Sequence, residues 1–401
     1  MKIIVVSLNL ALESGNPRLA LSLAQTYKSL GHEVIVYTTE FDPKCFPELN
    51  FGLNIKVISP VKGLEMVGAG TGFFDRAYRR LQRIILNNCM ISEIAASLPN
   101  DVDLLDCQND DSYKVGLYYK KVNPQTKVVW VMYNPPFFRS PKRNFIFDIG
   151  SRILAWWEYC VVLKYSKGID FVITDDKEKE VSIRKLGLPV ASMPIPVDFD
   201  HFYASVKKDI ASGRPIILLG AGGLSPTRRF EDIIAAVAIL RRRGYNVAAK
   251  IICKDYWHNE DYRRTFSAFL KASGVEQYVD VRFEGAREEE FVRLLKNSDI
   301  FIFPSSVKIF GMTVFEAMAA GLPVVVSRST SVVEFLRDGE NALFVDPQQP
   351  NDIAAKVQEL LDKPIFYEKL SGAGQQYVKK NFLWTEYAQR IIGFPIEKHN
   401  K

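Results

Sequence analysis

Short apolar runs alternate with amphipathic segments along almost the whole chain, and this alternation limits the fold more than any other feature of the sequence. It is typical of βαβ units, in which buried parallel strands are joined by helices. A chain of 401 residues is long enough for two domains. The sequence therefore predicts an α/β protein with two doubly wound parallel sheets, and ligands bound at the carboxyl ends of the strands.

The alternation pauses between Pro189 and Gly213, where prolines and polar residues favour a connecting segment. This pause sets the predicted segments, which are an N-terminal domain at 1–195, a linker at 196–213, a C-terminal domain at 214–380 and a final helical segment at 381–401. Two predicted strands, at 102–105 and 216–219, lead into loops that carry candidate site residues.

The composition excludes several classes of protein. Apolar residues make up 47% and charged residues 24% of the chain, as in a soluble globular protein. The net charge of +6 is too diffuse to favour nucleic acid as a partner. The cysteines and histidines lack metal-ligand spacing, so we expect reduced thiols, no metal site and a cytoplasmic location. No apolar run reaches the roughly 18 residues of a membrane-spanning helix, and the apolar start of the chain is interpreted as a buried strand rather than a signal peptide.

The stretch at 303–347 contains the strongest candidate for a ligand site. A predicted strand ends at Phe303, a loop follows, and a helix begins near Thr313. The free N–H groups of a helix start and the helix dipole both attract anions. The N–H groups concerned belong to Gly311, Met312 and Thr313.

Two charged side chains accompany this helix start. Glu316, one turn into the helix, can accept hydrogen bonds from a hydroxylated ligand, and Lys308 adds a positive charge upstream. The alternative is an ordinary α/β connection that binds nothing.

Taken as a whole, the stretch resembles the C-terminal signature of the group 1 glycosyltransferases (glycosyltransferase family 4), which are retaining enzymes of the GT-B fold. The family pattern is P-S-x-x-E-x-F-G-x-x-x-x-E-A-M-A-x-G-x-P-V-V, followed by a further Glu and by D-G-x-x-G-x-x-V. The residues that fit this pattern are Pro304, Ser305, Phe310, Gly311, Glu316, Ala317, Met318, Ala319, Gly321, Pro323, Val324, Glu334, Asp338, Gly339 and Val345. Lys308 occupies the position of the first Glu of the family's Glu pair.

The resemblance implies two Rossmann-like domains facing a cleft, with the acceptor on the N-terminal domain and a UDP- or GDP-sugar on the C-terminal domain. It implies that the final helix packs back on the N-terminal domain. It also implies that Glu316 holds the ribose hydroxyls and that Phe310 belongs to the donor-binding loop. Enzymes of this fold generally use no metal, so no metal and no cofactor are expected.

A second segment, GAGGLSPTRRFEDIIAAV at 220–237, combines a glycine turn, two arginines and a helix start. Bidentate guanidinium groups suit a diphosphate. The segment resembles the family pattern G-R-L-x-x-x-K-G, whose Arg and Lys hold the diphosphate of the donor. Gly223 replaces that Arg and Arg228 replaces that Lys, with Arg229 beside it. The alternative is a solvated basic helix start.

Three residues of the N-terminal domain are further candidates. Gly15 follows the first strand and permits close approach of a ligand to the backbone, although a plain helix start is an equal alternative. Asp110 lies in a polar run after a strand, and Asn134 follows the next strand, near a position where relatives carry an acceptor-side His. We expect Asp110 and Asn134 to contact acceptor hydroxyls.

Two Asp-x-Asp strings could suggest a metal site. The string at 101–103 leads into a strand, and the string at 198–200 resembles the hinge pattern P-x-G-V-D-x-x-x-F of the family. Both are therefore interpreted as structural.

The resemblance thus implies a retaining glycosyltransferase that acts on a glycan or lipid-linked acceptor in cell-surface glycan or glycolipid synthesis. Its expected catalytic residues are Arg228, Lys308, Asp110 and Asn134. Lys308 would favour an acidic donor sugar or add to phosphate binding. The alternatives are a catalytically weak or inactive GT-B subunit of a glycosyltransferase complex, and a sugar-nucleotide epimerase, whose carboxylates and histidines are not found.

The region at 114–167 has ten Lys or Arg against two acidic residues and is rich in aromatic side chains. Together with an arginine-bearing helix predicted at 73–98, it predicts docking on an anionic membrane surface, at the inner membrane face. The alternative is a solvated face over a domain core.

Overall fold

Besides a sheet of only two short strands, the apolar runs form two large parallel sheets in the described residues, which confirms the predicted α/β class with two Rossmann-like sheets. Each sheet belongs to one of two units, of which the first comprises Met1–Met193 and Trp384–Lys401 and the second Pro194–Leu383. The computed structural model describes residues 1–11, 15–58, 86–133, 156, 160, 168–205, 210, 213–255 and 259–394.

The described strands, in chain order, are β1 Lys2–Ser7, β2 Asn9–Leu10, β3 Glu33–Thr38, β4 Glu40–Phe41, β5 Asn54–Val57, β6 Leu104–Gln108, β7 Lys127–Val131, β8 Phe171–Thr174, β9 Val190–Ser192, β10 Ile216–Gly223, β11 Val247–Lys254, β12 Val279–Arg282, β13 Ile300–Phe303, β14 Val324–Ser327 and β15 Leu343–Val345. The labelled helices are α1 Gly15–Ser29, α2 Pro47–Asn50, α3 Tyr113–Lys120, α4 Lys177–Arg184, α5 Phe199–Phe202, α6 Phe230–Arg242, α7 Glu260–Ala272, α8 Glu288–Lys296, α9 Met312–Ala319, α10 Pro350–Asp362, α11 Pro364–Asn381 and α12 Trp384–Gly393.

The sheet of the first unit has the strand order β5-β3-β1-β6-β7-β8-β9, and its strands pair in parallel. The chain leaves β1 through α1 toward β3 on one side, and leaves β6 through α3 toward β7 on the other side. The carboxyl ends of β1 and β6 therefore form a topological switch point, where doubly wound sheets bind ligands.

The sheet of the second unit has the order β12-β11-β10-β13-β14-β15, again parallel. The chain leaves β10 through α6 toward β11, and leaves β13 through α9 toward β14 in the opposite direction. The switch point of this sheet lies between the carboxyl ends of β10 and β13. The two segments that the sequence singled out both begin there.

The last helix, α12, belongs to the first unit and packs on α1. The buried Tyr387 hydroxyl lies 2.8 Å from the Tyr133 hydroxyl. The Lys127 ammonium donates to the carbonyls of Ile391 and Ile392 at 3.0 Å and of Phe394 at 2.6 Å. Carbonyl groups at the end of a helix lack partners within the helix, so this lysine satisfies groups that would otherwise be unpaired.

Two predicted strand ends are wrong. The strand predicted at 102–105 is β6, which extends to Gln108. Its polar end stays in the sheet because β1 and β7 pair with it as far as Gln108. The strand predicted at 216–219 is β10, which continues through the glycines to Gly223, paired with Lys254. A Cβ on Gly220 would lie 2.5 Å from the end of the Ile233 side chain, so glycine at this position of β10 lets the helix pack closely against the strand.

Some predictions concern residues that the structure does not describe. Most of the predicted linker is described, but residues 73–85 of the arginine-bearing helix and most of 134–167 lie outside the described residues. Among the helices that the structure describes, none has the length and apolar character needed to cross a membrane.

Candidate functional site

Two loops meet at the switch point of the second sheet, the β10–α6 loop (residues 224–229) and the β13–α9 loop (residues 304–311). The carbonyl of Thr227 accepts hydrogen bonds from the Ser306 amide at 2.9 Å and from the Ser305 hydroxyl at 3.2 Å. These bonds tie the loops to each other, so that residues far apart in sequence form one surface.

Arg228 ends the 3-10 helix Pro226–Arg228 in the β10–α6 loop. Its guanidinium carbon lies 5.5 Å from the centroid of the Phe303 ring, at the end of β13. Gly222 of β10 lies beside the guanidinium, where a Cβ would make an ordinary contact at 3.6 Å, and its φ of 153° is a backbone conformation that favours glycine. Contact with an aromatic face restricts the orientation of a guanidinium.

Gly311 is the N-cap residue of α9 and has extended backbone angles. A Cβ at this position would lie 2.6 Å from the Phe303 ring, far closer than a carbon contact allows. Glycine therefore permits the start of α9 to pack on the same ring that supports Arg228. The half-buried Met312 and Thr313 follow in the first turn, where N–H groups have no partner within the helix.

Glu316 lies in α9 and is only 3% exposed. Burial inside a packed helix restricts its side chain to few orientations, and a carboxylate fixed in this way can accept hydrogen bonds with defined direction. Phe310 is also buried and packs against Phe315 and Phe335, with ring centroids 5.3 and 5.8 Å apart. Phe310 therefore supports the loop from the core side.

The Lys308 ammonium lies 3.0 Å from a carboxylate oxygen of Glu334, with side chains that are 36% and 17% exposed. Glu334 closes the 3-10 helix Ser331–Glu334, whose first amide donates to the Ile309 carbonyl at 3.2 Å. The lysine that breaks the expected signature is thus ion-paired with Glu334, the further Glu that follows the main pattern of that signature. Sequence reasoning missed this pair.

Two other predicted donor residues have local partners. Arg229 has a left-handed backbone conformation (φ 57°), and its guanidinium bonds both oxygens of the buried Asp232 carboxylate at 3.1 and 2.6 Å. The hydrogen bond to Asp232 raises the pKa of Arg229. Gly223 is buried at the end of β10 and pairs with Lys254 of β11.

In the first unit, the structure places the predicted residues at or beyond the carboxyl ends of strands. Gly15 begins α1 and is exposed, and Asp110 begins the 3-10 helix Asp110–Ser112 after β6. Asn134 lies outside the described residues.

A buried hydrogen-bonded cluster in β6 was not predicted. The Asp106 carboxylate accepts from the Tyr27 hydroxyl at 2.9 Å and from the Gln108 amide at 2.7 Å. Burial raises the pKa of Asp106 to about 7. Asp106 and Gln108 are two residues apart, a spacing that puts side chains on one face of a strand, and this spacing was the available signal.

Both Asp-x-Asp strings form hydrogen bonds with other residues of this chain. Asp101 and Asp103 accept from the side chain and the backbone amide of Lys2, at 2.9 and 2.7 Å. Asp198 is the N-cap residue of α5 and accepts from the His201 amide at 3.3 Å.

Comparisons with known proteins agree with this architecture. A family model described as "Glycosyl transferases group 1" matches residues 204–377. An uncharacterized glycosyltransferase of Methanocaldococcus jannaschii, MJ1607, is 32% identical over 382 residues, which cover 92% of this chain and 91% of that protein. Mannosylfructose-phosphate synthase of Agrobacterium fabrum is 26% identical over 182 residues, which cover 44% of this chain but only 39% of that enzyme.

Solved structures extend the likeness of fold to nearly the whole chain. Anabaena Alr3699/HepE in complex with UDP-glucose superposes with a TM-score of 0.73 at 15% identity, over 98% of each chain. WaaG, a glycosyltransferase involved in lipopolysaccharide biosynthesis, gives a TM-score of 0.66 at 14% identity, over 98% of this chain and 100% of that one. At these identities the likeness concerns the fold alone.

Proposed function

The chain belongs to the group 1 glycosyltransferases, and on that basis we propose that it transfers a hexosyl group from a nucleotide-diphosphate sugar to a glycan or lipid-linked hydroxyl acceptor, with retention of anomeric configuration. The observation that carries this proposal is the convergence of Arg228 and the N-terminus of α9, both packed on Phe303, at the switch point of the second sheet. Glu316 lies buried in the same helix.

The demanding step is cleavage of the bond between the anomeric carbon and the diphosphate oxygen. Negative charge grows on the departing diphosphate while the sugar becomes oxocarbenium-like. The Arg228 guanidinium and the first N–H groups of α9 supply fixed positive charge for that diphosphate, and such preorganised groups commonly contribute about 10²–10³ in rate each. The acceptor oxygen then bonds to the anomeric carbon, and its proton passes to the departing diphosphate, so no protein nucleophile is required.

Glu316 has the separate role of holding the nucleotide. Its carboxylate accepts hydrogen bonds from the two ribose hydroxyls. A hydrogen bond with one charged partner contributes about 1.5–3 kcal/mol. Glu316→Gln keeps the volume but removes the charge, so we expect nucleotide affinity to fall about tenfold or more.

The donor is a UDP- or GDP-sugar. The solved complexes of HepE with UDP and with UDP-glucose support testing UDP-glucose first. A panel of UDP- and GDP-hexoses, including UDP-glucuronic acid, should be assayed for nucleotide release into water, and the anomer of the released sugar should be read by NMR. Release of the retained anomer from at least one donor is expected, whereas the inverted anomer contradicts the retaining mechanism.

Two arginine variants test the site itself. Arg228→Ala should lower the affinity for UDP, measured by calorimetry, about a hundredfold. Arg243→Ala is the matched control, because Arg243 is exposed at the end of α6 and donates to Gln358 at 2.9 Å. Equal UDP affinities of the two variants would contradict the assignment of Arg228.

A second candidate function is a non-catalytic subunit of a glycosyltransferase complex, which the ion pairing of Lys308 favours, since the family has a carboxylate at that position. Nucleotide binding without turnover of any donor would support it.

Docking on anionic lipid is a further proposal, drawn from the basic and aromatic composition of 114–167. Sedimentation with vesicles that does not depend on phosphatidylserine would contradict docking.

A further inference from the structure

Asn109 is the first residue after β6, at the switch point of the first sheet. Gln108 before it pairs with Ser7 of β1, and the Asn109 amide donates to the Val131 carbonyl of β7 at 2.8 Å. Asn109 therefore lies at the edge where a doubly wound sheet offers its ligand crevice.

The backbone of Asn109 is held in a conformation that L-residues rarely adopt, with φ 54° and ψ −178°. The Ser112 hydroxyl and the Ser112 amide both donate to the Asn109 carbonyl, which keeps the backbone in place. Strained residues of this kind persist where the surroundings over-determine them and are concentrated at ligand sites.

The side chain of Asn109 is 4% exposed, and within the described part of the chain neither its Nδ2 nor its Oδ1 has a hydrogen-bond partner. The neighbouring Asp106 and Gln108 bond to each other, and Asp106 also accepts from Tyr27. A buried amide with both groups unpaired is destabilising, and native structures rarely keep one without a ligand or water to fill it.

We propose that Asn109 binds a sugar hydroxyl, an assignment that rests on the function proposed above. The amide presents its NH2 donors beside its carbonyl acceptor, and a hydroxyl can accept from Nδ2 while it donates to Oδ1. A phosphate or carboxylate could accept from Nδ2 but would leave Oδ1 unpaired, so a neutral polyol fits better than an anion. The hydroxyl belongs to the donor sugar or to the acceptor, and the experiment separates these sources.

The central variant is Asn109→Gly, which removes the amide but adopts the positive φ without strain. We expect its melting temperature to equal or exceed that of the wild type. Calorimetry with UDP and with UDP-glucose measures the contribution of the donor sugar as the ratio of the two affinities. UDP release from UDP-glucose in the presence of octyl glucoside, mannoside and galactoside measures the contribution of the acceptor.

Loss of two hydrogen bonds should change one of these readouts about ten- to a hundredfold, and the readout that changes identifies the source of the hydroxyl. Asn109→Asp keeps an acceptor but loses the donor, so it should show a smaller change in the same readout. This variant replaces Asn109→Gly in the test if the glycine variant folds poorly. Gln348→Gly is the matched control, because Gln348 is an exposed residue of the second unit with φ 61°. It relieves the same strain and should change neither readout.

Two negative results have different meanings. A wild-type protein that binds no UDP- or GDP-sugar of the panel overturns the proposed function. A wild-type protein that binds a nucleotide and the corresponding nucleotide sugar, with an Asn109→Gly variant that matches it in both readouts for that donor, overturns the assignment of Asn109 alone.

Discussion

The ion pair of Lys308 with Glu334 makes the outcome of a simple sequence repair predictable. Lys308→Glu restores the residue that the family signature has at this position. In this protein, however, the new carboxylate would face the Glu334 carboxylate, at a distance now spanned by a 3.0 Å ion pair. We therefore expect the repair to weaken the second unit rather than improve it.

The magnitude follows from the distance and the exposure. Two unit charges 3.0 Å apart in water interact by about 1.4 kcal/mol, and measured values for exposed pairs are about 0.2–1 kcal/mol. Because the side chains are 36% and 17% exposed, we expect Lys308→Met to cost about 0.5–1 kcal/mol. Lys308→Glu replaces attraction by repulsion, so its cost should be about twice as large. A unit of this size loses about 2–4 °C of melting temperature per kcal/mol.

The assay is a thermal double-mutant cycle of Lys308→Glu, Glu334→Lys and the double swap. The swap should recover most of the stability lost in either single variant, and the difference should shrink in high salt. Arg328→Glu is the control, since it breaks the separate pair of Arg328 with Asp338 at 2.8 Å and should lower stability without changing donor affinity. If Lys308→Glu melts like the wild type, or if the swap is no better than the single variants, the reasoning is refuted. If Lys308→Glu leaves donor choice unchanged, the hypothesis of an acidic donor sugar fails.

Three further perturbations test interactions inside each unit. Gly311→Ala would put a Cβ 2.6 Å from the Phe303 ring, about 0.8 Å inside the 3.4 Å at which ordinary contacts begin. We expect a loss of about 1–3 kcal/mol in stability and a lower affinity for UDP. An unchanged melting temperature and an unchanged UDP affinity in calorimetry would contradict this expectation. Lys127→Met leaves three carbonyls of the last helix without their donor and should cost about 3 kcal/mol in urea unfolding, whereas Lys121→Met at an exposed position should cost almost nothing. Burial raises the pKa of Asp106 to about 7, above the value of about 3.9 in the unfolded chain, so the native state binds more protons between these pH values and the free energy of unfolding falls as pH rises from about 4 to about 7. Asp106→Asn should flatten that dependence in urea unfolding, and a variant that keeps the wild-type slope would show that another group titrates.

Local sequence rules predicted the parts of the site that depend on chain connectivity. Arg228 and Gly311 each follow a strand, and parallel strands joined by right-handed crossovers bring such residues to the same edge of the sheet. The pairing of Lys308 with Glu334 was not predictable from the signature, because it depends on how two loops fold against each other. The same holds for Lys127, whose partner Ile391 lies 264 residues away and is recognised by its carbonyl alone.

The missed polar cluster of β6 has a different cause. A polar residue after an apolar run usually marks the end of a strand, and Asp106 was interpreted in this way. The structure instead continues the strand to Gln108, because both neighbours, β1 and β7, also continue and supply its backbone partners. The register of adjacent strands, which a single sequence does not contain, therefore determined both the burial of Asp106 and the position of Asn109.

The two switch points differ in the chemistry that they offer. In the second unit, Gly311 lets the start of α9 pack on the Phe303 ring, over which Arg228 also lies, so the site offers positive charge and suits a diphosphate. In the first unit, Asn109 offers a neutral amide, which suits hydroxyl groups. Salt screens charge but hardly affects a buried neutral hydrogen bond. Salt should therefore weaken the binding of UDP while leaving the contribution of the sugar hydroxyl nearly constant, which is the behaviour required if the units recognise different parts of the substrates.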